Sequence, residues 1–101
     1  MMETMSLKDR MDSLGGTVAE IQVNGITYYS VGFRYTGDGE VDVYDINGEK
    51  VANAVFHSDT EQVTLTVNGE ESASSNVYFE HEGKMEYDLA EDLGTYLAAL
   101  L

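Results

Sequence analysis

The chain contains no cysteine, no proline and no tryptophan. Without cysteine there are no disulfides, no thiolate metal sites and no thiol nucleophile. Cations are also scarce, with five Lys and Arg against nineteen Asp and Glu and a net charge of −14. Such a chain repels phosphate backbones, because nucleic-acid affinity rests on Lys and Arg displacing counterions. Anionic membranes are disfavoured on the same ground. No apolar run approaches the ~18–20 residues of a membrane-spanning helix. The opening stretch MMETMSLKDRMDSLGG lacks the apolar centre of a secretory signal, so the expected location is the cytoplasm.

What is present suits one small domain. The 101 residues are 43% hydrophobic and include seven Tyr and three Phe, enough for a modest core and too many for an unstructured chain. The acids are unevenly placed. Residues 1–34 hold four acids and three bases, whereas the remainder holds fifteen acids and two bases. Self-repulsion destabilises a folded state and a negative field speeds encounter with a cationic surface. The distribution therefore points to a basic protein partner, with no direct binding of nucleic acid or membrane.

The hydrophobic pattern predicts an α+β domain spanning the whole chain, with residues 1–5 disordered. A short helix is expected over 6–14, where Leu7, Met11 and Leu14 recur at helical spacing and Gly15-Gly16 follows. Strands are expected over 17–23, 26–35, about 40–46, 50–57, 62–67 and 76–81. Asn24-Gly25 and Asn47-Gly48 provide turn signals. In 62–67 the alternation is plain: Val63, Leu65 and Val67 on one face, Gln62, Thr64 and Thr66 on the other. Residues 68–75, NGEESASS, read as a mobile polar loop, and 76–81, NVYFEH, as the last strand. A C-terminal helix is expected from Asp88 and Glu91, which have capping-box spacing, with Leu89, Leu93, Leu97 and Leu100 as its apolar stripe. Gly94 inside it costs about 1 kcal/mol relative to Ala, and lets the helix lie close to a sheet. Short connections imply an antiparallel meander of five to six strands with the helix packed on one face and the other face polar.

The stretch Asp38-Gly39-Glu40-Val41-Asp42-Val43-Tyr44-Asp45 puts four carboxylates in eight residues. It lacks the ligand frame of an EF-hand loop, with its central Gly and terminal Glu. In a strand, alternate side chains sit about 6.6–6.8 Å apart, too far to share an ion without other strands. His57 and His81 read as strand-end histidines bonded to neighbours. No phosphate loop, nucleophile motif or cleft-bound acid pair is signalled. No metal, no cofactor and no catalysis are expected.

Two readings of the acids remain. They are the solvated side of the fold, or they form rows that imitate a polyanion and occupy the basic groove of a nucleic-acid-binding complex. Small, cysteine-free acidic inhibitors of phages and mobile elements, anti-restriction and anti-CRISPR proteins among them, resemble the chain in this general character, though no motif ties it to any one of them. The residues expected to meet a partner are Asp38, Glu40, Asp42, Tyr44 and Asp45 on one hairpin, with Glu80, Glu82, Glu86, Glu91 and Asp92 in and before the last helix. The Leu-rich terminus offers an alternative, a homodimer or assembly contact through the C-terminal helix.

Overall fold

The computed structural model describes Asp9, residues 13–34 and residues 38–101. The helix expected over 6–14 falls outside these residues except for Asp9, Ser13 and Leu14, and the expectations for residues 1–5 and Tyr35 fall outside them altogether. What is described is an α+β fold. Its strands are β1 (Thr17–Val23), β2 (Ile26–Arg34), β3 (Gly39–Tyr44), β4 (Lys50–His57), β5 (Gln62–Val67) and β6 (Glu70–Ser74). Two helices follow, α1 (Ser75–His81) and α2 (Glu86–Ala99). The strands lie side by side in chain order, each antiparallel to the next.

Turn chemistry sets this meander. Asn24 and Gly25 take φ of 53° and 79°, and Asn68 and Gly69 take 53° and 80°. These are the left-handed pairs of a two-residue hairpin, which few residues other than Asn and Gly adopt cheaply. The second pair corrects the expected loop: residues 70–74 are strand β6, registered on β5 from Val67↔Glu70 to Val63↔Ser74. The expected strand over 76–81 is likewise corrected. Ser74 stays extended and its hydroxyl accepts from the Val77 N–H at 3.2 Å, so the chain turns into α1. The buried residues Val77, Tyr78 and His81 follow a helical spacing.

One layer of helices covers one face of the sheet. That face carries Ala19 and Ile21 of β1, Tyr28 and Ser30 of β2, and Val41 and Val43 of β3. Ala52, Ala54 and Phe56 of β4 continue it, with Val63 and Leu65 of β5. Against it α2 buries Leu89, Leu93 and Leu97 completely. Full burial of each Leu contributes roughly 1.5–3 kcal/mol. The expected capping box does not form, because α2 begins two residues before Asp88, after Met85, which makes no side-chain cap. Glu86 and Asp88 then lie in the first turn, where the helix dipole favours them. Gly94 serves the close approach expected of it: a methyl group there would overlap the Cβ and Oγ of Ser30.

The opposite face is not uniformly polar, contrary to expectation. Val31 is wholly buried there, opposite Asp42 in the ladder. Gly16 lies over it, so close that a Cβ would sit 2.7 Å from Val31 Cγ1 and 2.8 Å from Phe33 Cε1.

Candidate functional site

The acids of DGEVDVYD divide by strand alternation and by turn. Glu40, Asp42 and Tyr44 point to the face away from the helices, since their partners Phe33, Val31 and Tyr29 do. On the neighbouring strand Asn53 stands opposite Asp42. Its Nδ2 donates one hydrogen to Glu40 Oε2 at 2.8 Å and the other to Asp42 Oδ1 at 2.5 Å. One amide thus holds two carboxylates together. Lys50 Nζ lies 3.9 Å from the same Asp42 oxygen.

Asp42 is only 7% exposed. Burial pushes its carboxyl above the ordinary range and the adjacent Glu40 charge adds to the rise, while the Asn53 amide and Lys50 oppose it. Tyr44 is held above its usual value by burial and then by the charges of Asp42 and Glu40. This cluster is a tied internal network more than an open row of charges.

Asp38 and Asp45 hold turns. Asp38 Oδ1 accepts from both the backbone N–H and the hydroxyl of Ser58, each at 2.9 Å, and these two bonds lower its pKa. Asp45 Oδ1 accepts from the N–H groups of Asn47 and Glu49 at 2.9 and 3.0 Å, closing the β3–β4 turn. Glu86 clamps α2 to the sheet. One carboxylate oxygen accepts from the Arg34 N–H at 2.9 Å and the other from the Thr17 hydroxyl.

The helical acids are different. Lys84 Nζ pairs with Asp92 at 2.8 Å. Its pKa is raised by that hydrogen bond and charge, with Asp88 and Glu80 adding to the rise. Asp92 is thus paired with Lys84, and the charges of Asp88 and Glu80 act on the same cation. Glu82 and Glu91 are also exposed, and Tyr87 Oη donates to Glu91 at 3.4 Å. Phe79, Met85 and Tyr87 are exposed on the same two helices and the link between them, at 55%, 73% and 50%.

Eight of the ten sequence-predicted residues thus fall into two sets on opposite sides of the sheet, while Asp38 and Asp45 hold turns. Glu40, Asp42 and Tyr44 occupy one face; Glu80, Glu82, Glu86, Glu91 and Asp92 belong to the helical layer. Asp88, read from the sequence as a helix cap and as one of the acids entering the last helix, joins the helical set, and its i, i+4 spacing to Asp92 puts both on one stripe. Sequence reasoning missed Asn53, whose role needs two carboxylates from another strand. In the Leu-rich terminus expected to offer a contact to a second copy, Leu97 is buried and Leu100 and Leu101 are exposed.

His57 Nε2 lies 2.9 Å from Thr64 Oγ1. His81, now helical, donates from Nδ1 to the Val77 carbonyl at 3.0 Å, as only a donor can there. Among the described residues no three His, Asp or Glu side chains come together as metal ligands, and no helix is long and apolar enough to cross a membrane. Compared with known proteins, the chain matches no family model, no curated protein and no solved structure.

Proposed function

We propose that the chain is a non-enzymatic binding module that engages a basic protein surface, in its sharpest form as an inhibitor that takes the place of nucleic acid on a nucleic-acid-binding complex. The observation that carries this reading is the exposure of Glu80, Glu82, Asp88, Glu91 and Asp92 in one helical layer, where Lys84 pairs with Asp92. Unlike Asp38, Asp45 and Glu86, these acids hold no backbone in place. Their cost in self-repulsion is offset when a cationic partner covers them. Exposed Phe79, Met85 and Tyr87 supply apolar and aromatic contact area of the kind interfaces favour.

The test is capture of partners from a host lysate at low and high salt, followed by competition with duplex DNA or RNA for the purified partner. Binding should weaken steeply with salt, and Glu80→Lys with Asp88→Lys should abolish it while the amide spectrum stays folded. A complex indifferent to salt and to that double substitution overturns the reading. A complex that nucleic acid does not displace removes its sharp form.

A further inference from the structure

Among the described residues, strand β6 is an edge of the sheet: it pairs with β5 on one side and with no described strand on the other. Its hairpin geometry says which backbone groups are free. Two residues join β5 to β6, so Val67 and Glu70 form the hydrogen-bonded pair next to the turn, and hydrogen-bonded and open pairs then alternate. Leu65↔Ser72 and Val63↔Ser74 are therefore bonded pairs, while Thr66↔Glu71 and Thr64↔Ala73 are open ones. It follows that the N–H and C=O groups of Glu71 and Ala73 point away from the sheet. The other edge strand, β1, runs beneath α2.

Proteins blunt such edges with proline, bulges, lysine or a covering helix. Here there is no proline, no bulge in the β5–β6 register and no base on β6. Two acids, Glu70 and Glu71, stand there instead. They line, with Asn68 and Ser72, a depression of about 350 Å³ that also takes in Leu65, Val67 and Leu100, the last 48% exposed. Ser72, opposite Leu65, is too small to fill it.

We propose that β6 is a docking strand for a basic, extended segment of a partner protein, which adds as a seventh strand. This rests on the reading of the chain as a module for a basic partner, and it adds to the acids of α1 and α2 a second surface that takes an extended segment. The carboxylates decide the occupant. A second copy, also at −14, would bring its own Glu70 and Glu71 against this edge. A cationic segment instead meets Glu71 on the face away from the helices. On the other face, alternate apolar side chains lean over Ser72 into the depression, as strand periodicity allows.

The experiment titrates the labelled full chain with a short synthetic peptide of alternating Lys and Val, and with its counterpart of alternating Glu and Val. The Lys peptide should shift the Glu71 and Ala73 amides and slow their hydrogen exchange; the Glu peptide should not bind. Ala73→Pro removes an outward N–H while leaving the pairing to β5 and the net charge unchanged, and should weaken binding about tenfold or more. Glu71→Gln should weaken it at low salt and flatten its salt dependence. Should Ala73→Pro perturb the fold, the exchange rates and Glu71→Gln still decide. If the Lys peptide binds but shifts the α1–α2 residues and ignores Ala73→Pro, the docking strand is refuted while the basic-partner reading stands. Absence of any binding by the Lys peptide also refutes the docking strand. If capture and salt dependence fail on a folded basic partner as well, the parent reading falls with it.

Discussion

Gly94→Ala should destabilise this protein, although the same substitution in an exposed helix is favourable by about 1 kcal/mol. A Cβ at position 94 would stand 2.5 Å from Ser30 Cβ and closer still to Oγ. Carbon atoms rest at about 3.5–4.0 Å, so the helix must retreat by roughly 1 Å or the sheet must yield. The next rung of the contact leaves no slack, since a Cβ on Gly32 would sit 2.9 Å from that of Ala90. Overpacking of a tight core costs typically 1–3 kcal/mol. Rigid backbone on both sides argues for the upper end, and subtracting the propensity gain leaves about 2 kcal/mol. In a domain of this size that lowers Tm by roughly 8–16 °C. Denaturant melts should show the midpoint falling at constant slope, the sign of lost stability with an unchanged unfolded state. The double-mutant cycle with Ser30→Gly isolates the cause. Removing the Ser30 side chain should recover most of the loss, giving a coupling of ~1 kcal/mol or more. A Gly94→Ala protein as stable as the parent, or a pair whose effects simply add, would refute the claim that these two surfaces touch.

Further outcomes follow from the carboxylates. Asn53→Ala should cost about 2–3 kcal/mol at neutral pH, because it strips the donor shared by Glu40 and a buried Asp42. The loss should shrink toward acid, where a protonated Asp42 can donate to Glu40 itself; melts across pH check this. Asp42 has its folded pKa raised above the ordinary 3.8, so the native state binds the extra proton first. Its contribution to stability therefore falls as pH rises from about 3.8 through the folded value and is relieved below it. Asp42→Asn should abolish that segment of the pH profile and raise stability at neutral pH. Glu86→Ala should cost about 1.5–3 kcal/mol by freeing the Arg34 N–H and the Thr17 hydroxyl, measured by denaturant midpoint. Leu93→Ala, in the centre of α2, should cost about 2–5 kcal/mol through its cavity.

Much of the architecture was legible because local chemistry and tertiary need agree. Asn24-Gly25, the alternation in 62–67 and the leucine spacing of α2 each announce the element found. The misses occur where they diverge. EESAS has little strand propensity, and it is a strand because Asn68-Gly69 delivers it onto β5. NVYFEH has strand-forming residues, yet the Ser74 cap and the burial of Val77, Tyr78 and His81 along one side make it a helix. The site was less legible than the fold. Composition announces an excess of acid but not its division across two faces. The structural duties of Asp38 and Glu86 depend on partners 20 and 52 residues away in sequence, which no short pattern contains.

The anchoring of Asp38, Asp45 and Glu86 to main-chain N–H groups has a consequence for anyone redesigning this molecule. Its negative charge is not one interchangeable pool. Asp88, Glu91 and Glu80 can be traded for neutral or positive side chains at little cost to folding, whereas neutralising the anchored three would unfasten turns and a helix end. A variant brought toward zero net charge can therefore stay folded or collapse, depending on which carboxylates are chosen and not on how many.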